Sequence, residues 1–150
     1  MVNFDLTLAA VKKLISDNSE DLLFQICQEL KKSVCHYDWV GFYLLRDGEL
    51  QLGPFVGKAT EHTRIPIGKG VCGQVAVEKK TIVVQKVSEQ DNYIACSLDV
   101  QSEIVVPILK NDKFVAEIDI DSHSAAPFTE KDEQFLETIC SLVSNISSMK

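Results

Sequence analysis

The stretch Phe114-Val-Ala-Glu-Ile-Asp-Ile-Asp121 decides how this chain folds. From Ala116 to Asp121 apolar and acidic residues alternate, and side chains along a strand point to opposite faces in turn. Glu117, Asp119 and Asp121 therefore share one face, and Ala116, Ile118 and Ile120 share the other. The apolar run before it, Ile104 to Leu109, connects through Asn111-Asp112, residues suited to a hairpin turn. Glu103 is opposite in parity to Ile104, Val106 and Ile108. Trp39 to Leu45 repeats the pattern, with Trp39, Gly41 and Tyr43 opposing Val40, Phe42 and Leu44. Three strands can thus carry carboxylates and amphipathic aromatics on the side away from an aliphatic core.

Two readings of that acidic side stand open at this level. Acids on an antiparallel strand usually mark a solvated face. An aromatic pair beside carboxylates is also the makeup of a small-molecule pocket. In a pocket the carboxylates would raise one another's pKa, so that one keeps its proton and donates a hydrogen bond. Those still ionised would hold an ammonium group, and a small zwitterion is a natural guest.

Working outward, residues 3 to 15 place Phe4, Leu8, Val11, Leu14 and Ile15 at helical spacing. Asp17, Asn18 and Ser19 end that helix, and a second runs to about Cys35. Arg46-Asp47-Gly48-Glu49 turns the Trp39 strand into Leu50 to Val56, and Thr63 to Ile67 is a short extended piece. Gly68 to Gly73 leads into a short helix ending near Glu78, Thr81 to Gln85 is a strand, and Ser88 to Asp99 is a polar loop. Pro127 and Thr129 start a terminal helix that reaches the end through Phe135, Leu136, Ile139, Cys140, Val143 and Ile146. The expected fold is one α+β domain over residues 1–150: a largely antiparallel sheet with helices packed on one side.

A chain of 150 residues with 45% hydrophobic and 25% charged content builds one core. The net charge of −7 argues against nucleic acid and anionic membrane as partners, which need clustered Lys and Arg. No apolar run is long enough to span a bilayer, and Met1-Val-Asn-Phe-Asp5 is not a secretory signal, so a cytoplasmic location is expected. Five cysteines without export features point to reduced thiols. The absence of C-x-x-C and H-E-x-x-H spacings, with His36, His62 and His123 scattered, argues against a metal.

Cys27, Cys35 and Cys140 read as packing residues, because free cysteine behaves as a small buried hydrophobe. Cys72 and Cys96 sit in loop contexts. Cys72 opens the short helix near Lys69 and Arg64, which would favour its thiolate. Cys96 has no basic neighbour in sequence, so any activation must come from the fold. Gly68-Lys-Gly-Val-Cys-Gly73 matches the dinucleotide fingerprint, yet the short strand before it contains Arg64 and Pro66. That context argues against a nicotinamide or flavin cofactor, and none is expected.

Trp39-Val-Gly-Phe-Tyr43, Leu52-Gly-Pro-Phe55, Arg64-Ile-Pro, Gly68-Lys-Gly-Val-Cys-Gly73, Ile94-Ala-Cys96, Ser102-Glu-Ile-Val-Val-Pro107 and Ile118-Asp-Ile-Asp-Ser122 resemble the free methionine-R-sulfoxide reductases, a GAF-domain family. The resemblance runs from about Asp38 through the terminal helix. It implies a central antiparallel sheet flanked by helices, often a homodimer, with a pocket for free methionine sulfoxide. By resemblance Cys96 is the nucleophile and Cys72 a second active-site cysteine. Glu103, Asp119 and Asp121 match the pocket carboxylates, and Trp39 and Tyr43 the pocket aromatics. The implied chemistry passes through a sulfenic acid on Cys96, a proton from Glu103 or Asp121, and a disulfide with Cys72 that thioredoxin or a small thiol reduces. The family's usual third cysteine is replaced by His62, which cannot form a disulfide, so resolution falls to Cys72, to an external thiol or to nothing. Exchanged roles for the two thiols remain open, since local charge favours Cys72. A GAF module that binds a small ligand, such as a free amino acid, without chemistry is the alternative.

Overall fold

A computed structural model describes residues 2–89 and 99–146 of the chain. Two helices, α1 (Phe4–Asp17) and α2 (Leu22–Ser33), precede strands β1 (Trp39–Arg46), β2 (Glu49–Val56) and β3 (Arg64–Pro66). Helix α3 (Gly70–Glu78) leads to β4 (Ile82–Val84), and the chain ends with β5 (Ser102–Lys110), β6 (Lys113–Ser122) and α4 (Glu130–Val143). The sheet order is β3-β2-β1-β6-β5-β4, so the first and last long strands lie together at its centre. All its pairings are antiparallel.

Local chemistry accounts for most boundaries. The Asn3 side chain caps α1 by accepting from the Leu6 N–H at 3.1 Å, and Asn18 ends the helix in the left-handed region. Both hairpins turn on two residues of positive φ, Asp47-Gly48 and Asn111-Asp112, the conformation whose twist matches paired strands. Thr129 and Asp132 form a capping box at the start of α4. That helix stops at Val143, short of the expected extension through Ile146, which still packs on the core.

The apolar strand parity closes as expected. Val40, Phe42, Ile104, Val106, Ile108, Ala116, Ile118 and Ile120 form one core with the inner stripes of α1, α2 and α4. The expectation of helices on one side only is corrected by α3. Its Val71, Cys72, Val75 and Ala76 pack with Trp39, Tyr43 and Val105 on the opposite face. The helix is apolar nearly all round, so its periodicity did not reveal which face it would cover.

Candidate active site

Strand register assembles the site. On β6, Asp121 stands opposite Trp39, Asp119 opposite Gly41 and Glu117 opposite Tyr43. On the other flank Asp121 pairs with Glu103 and Asp119 with Val105. The carboxylates of β5 and β6 and the aromatics of β1 therefore occupy adjacent rungs of one face. This face is not solvated: Glu103, Glu117, Asp119 and Asp121 are each at most 4% exposed. Helix α3 packs on this face, with Cys72 against Asp119, and the solvated reading of the acidic side is overturned.

Glycine makes two of the close approaches possible. A Cβ on Gly41 would sit 2.4 Å from the Trp39 ring and 2.9 Å from the Phe55 Cβ. Gly41 thus lets the indole lie along the sheet, stacked on Phe55 at 5.5 Å and donating from Nε1 to the Lys58 carbonyl at 2.9 Å. At Gly73 a Cβ would meet the Pro66 carbonyl oxygen at 2.7 Å. Its absence lets α3 start tight against the turn, where the Gly68 N–H donates to the Gly73 carbonyl at 2.9 Å. Of the glycines in the apparent dinucleotide fingerprint, Gly73 serves chain packing, and Gly68 and Gly70 take the positive φ of the turn.

Cys72 lies in the first turn of α3 with its thiol donating to Asp119 Oδ2 at 3.4 Å. Tyr43 donates from its hydroxyl to the His62 carbonyl at 2.8 Å, tying the β2–β3 connection to the site. Tyr43, His62, Ile65, Val71, Cys72, Glu103 and Asp119 enclose a cavity of about 10 Å³. Trp39 and Asp121 continue the same face beyond it. Cys96 lies outside the described residues, as does most of the Ser88 to Asp99 loop.

The electrostatics overturn the expected thiolate at Cys72. Burial, followed by the charges of Asp119, Glu117 and Glu103, pushes its thiol well above the ordinary range. Lys69 is exposed, and Arg64 points to Glu49 in an ion pair, so neither basic neighbour in sequence faces the sulfur. Cys72 is a proton-holding thiol.

The carboxyls are shifted the same way. Burial and then the Asp119 charge raise Glu117 and Asp121 far above ordinary carboxylates, and burial raises Asp119. Hydrogen bonding to Glu103 pulls Asp119 and Asp121 back. Two carboxyl groups can hydrogen-bond only if a proton stands between them. Among the described residues, only Glu103 beside Asp121 and Cys72 beside Glu117 offer hydrogen bonds to these two buried carboxyls, and Oδ1 of Asp119 has no hydrogen-bond partner. Ionising all of them would leave several uncompensated buried charges, so protons stay on the cluster. Glu117, on the expected face but outside the expected site, belongs to it: its signal was the same strand parity.

Among the other cysteines, Cys27 and Cys140 are buried, and burial raises both thiols. Cys35 departs from expectation. It is exposed on the turn after α2, where the helical stripe that would have buried it has ended.

Residues 18–146 match the GAF domain family, so the class of this protein is a GAF domain. The free methionine-R-sulfoxide reductase of Escherichia coli (strain K12) is 41% identical over 68% of this chain and 61% of its own length. The enzyme of that name from Saccharomyces cerevisiae is 38% identical over 84% of this chain and 70% of its own. The reduced form of the Staphylococcus aureus fRMsr superposes with a TM-score of 0.89 at 38% identity, covering 96% of this chain and 94% of that one. The chain belongs to the free methionine-R-sulfoxide reductase family of GAF-domain proteins.

Proposed function

We propose that this protein reduces free L-methionine-(R)-sulfoxide to methionine, with Cys96 as nucleophile and Cys72 as the resolving thiol. The observation that carries this reading is the buried carboxyl cluster itself. It joins Glu103, Asp119 and Asp121 to a hydrogen-bonded thiol at Cys72, beside Trp39 and Tyr43. Such a cluster is costly to fold and suits a zwitterion whose ammonium group supplies the missing positive charge. A peptide-bound methionine has no free ammonium, so the same charge selects the free amino acid.

In the first step Cys96 sulfur attacks the sulfoxide sulfur while a carboxyl proton passes to the sulfoxide oxygen. Asp121 suits that role, since burial and then the Asp119 charge raise it well above an ordinary carboxylate and favour its protonated form, and Glu103 is within the same hydrogen-bonded group. The oxygen, now a hydroxyl, passes from the substrate sulfur to the Cys96 sulfur as the S–O bond to the substrate and the transient S–S bond break. Methionine departs and Cys96 is left as a sulfenic acid. Cys72 then attacks that sulfur, water leaves, and a Cys72–Cys96 disulfide forms. Two electrons from thioredoxin or a small thiol restore both thiols.

The raised pKa of Cys72 supports this division of labour. A nucleophile gains from an ionised resting state, whereas a resolving thiol need lose its proton only as it attacks. Asp119 Oδ2, 3.4 Å from the sulfur, is placed to take that proton. His62, which lines the cavity, cannot form a disulfide, which leaves Cys72 or an external thiol to resolve; we assign that step to Cys72. The cavity of about 10 Å³ admits a water or an ion, so binding of an amino acid must move side chains around it. The same reading makes the chain a single-domain cytoplasmic enzyme, where its thiols stay reduced. Turnover of the separate R and S epimers of free methionine sulfoxide with dithiothreitol tests the proposal. Selective consumption of the R epimer is expected, and binding without turnover by fully reduced protein would reject it in favour of a ligand-sensing module.

A further inference from the structure

The cavity groups also form a set of donors that no sequence spacing announces. Cys72 Sγ and one carboxylate oxygen each from Glu103 and Asp119 all lie within 4.8 Å of one another. They come from three elements, α3, β5 and β6, which is why the missing C-x-x-C and H-E-x-x-H spacings did not anticipate them. Cys72 Sγ and Asp119 Oδ2 are 3.4 Å apart. Sulfur and oxygen on a tetrahedral zinc, with bonds of about 2.3 and 2.0 Å, stand about 3.5 Å apart. Two more observations point to a guest. Asp119 is buried and lines the cavity, and among the described residues its Oδ1 has no hydrogen-bond partner. The cavity's volume of about 10 Å³ suits one ion or water.

We propose that the reduced protein binds one thiophilic divalent cation between Cys72, Glu103 and Asp119, with water completing a tetrahedral shell. A thiolate in the donor set selects zinc-like ions over magnesium and calcium, which take oxygen shells. The positive charge offsets the desolvation that keeps these groups protonated, so their protons leave as the metal binds. The carboxylates are those assigned above to the substrate ammonium, so cation and amino acid exclude each other; only this exclusion rests on the proposed function. A metal-loaded site is a resting state in which Cys72 is shielded from oxidation and alkylation.

The test uses Co²⁺ as an optical stand-in for zinc, added to the full-length reduced protein without oxygen. One equivalent should produce a near-ultraviolet sulfur-to-cobalt charge-transfer band with visible bands of tetrahedral intensity. Cys72→Ser should remove the charge-transfer band, Asp119→Asn should weaken binding by about tenfold or more, and Cys35→Ser, at an exposed thiol, should change neither. Alkylation mapping supplies a second readout that needs no variant: Zn²⁺ should slow modification of Cys72 and leave Cys35 unaffected. Absence of the band, a band that survives Cys72→Ser, or unchanged alkylation of Cys72 would each overturn the site. In Cys96→Ser protein, which cannot turn over, free methionine sulfoxide should displace Co²⁺. Retained cobalt binding without displacement would count against the substrate assignment and leave the metal site standing.

Discussion

The two faces of the central sheet are buried to the same degree by opposite means. One carries Val40, Phe42, Ile104, Val106, Ile118 and Ile120 against three helices, and its burial is stabilising on every rung. The other carries Glu103, Glu117, Asp119 and Asp121 beside Trp39, Tyr43 and Val105 under the short helix α3, and desolvation opposes the burial of its carboxyls. The first face holds the fold together. The second uses part of that stability to keep protonated carboxyls and a protonated thiol in contact, which no solvated face could do. Ionisation distinguishes them as well. At the edge of the apolar core Asp132 accepts from Tyr37 at 2.8 Å, contacts His36 at 2.8 Å and caps α4. Burial works to raise this carboxyl, but those hydrogen bonds hold it below the ordinary range.

Phe42→Ala, in the apolar face, should cost about 3–5 kcal/mol. That is a large part of the whole stability of a domain, and urea unfolding measures it. Asp132→Ala removes a cap and leaves Tyr37 without its acceptor, so a loss of about 2–3 kcal/mol is expected. Its pH signature is specific. A carboxyl with a lowered folded pKa stabilises fully above the unfolded value and loses that contribution as pH falls through the folded one. The Tm difference between wild type and Asp132→Ala should therefore shrink on acidification.

Glu117→Gln should behave in the opposite sense. A carboxyl with a raised folded pKa keeps its proton in the folded chain after the unfolded chain has released one. Wild-type stability thus falls as pH rises from about 4, the ordinary carboxylate value, toward the raised one. The neutral amide removes that slope, so the variant should become the more stable protein at alkaline pH, by about 1–2 kcal/mol. Thermal melts across pH check both signs together. The smallest effect belongs outside both faces: breaking the exposed Arg64–Glu49 ion pair with Arg64→Ala should cost no more than about 0.5 kcal/mol.

Strand parity made much of this architecture legible. The alternation from Ala116 to Asp121 put Glu117, Asp119 and Asp121 on one face, and the same count on β1 aligned Trp39 and Tyr43 with them. Parity does not say what covers a face, and α3, apolar nearly all round, hid the answer. Cys72 was misjudged because sequence neighbours are not spatial neighbours: Lys69 and Arg64 flank it along the chain, while Asp119, Glu117 and Glu103 surround it in space. The Asp132 cluster escaped notice although Thr129-x-x-Asp132 has the capping-box spacing; its link to His36 and Tyr37 spans over ninety residues.

In the proposed reaction Cys72 and Cys96 act as a pair. Reduced protein treated anaerobically with one equivalent of free methionine-(R)-sulfoxide, then digested and weighed without reductant, tests this directly. A protein lighter by two hydrogens, with one new peptide joining Cys72 to Cys96, is the predicted result. A sulfenic acid that persists on Cys96 while Cys72 remains a free thiol would contradict it.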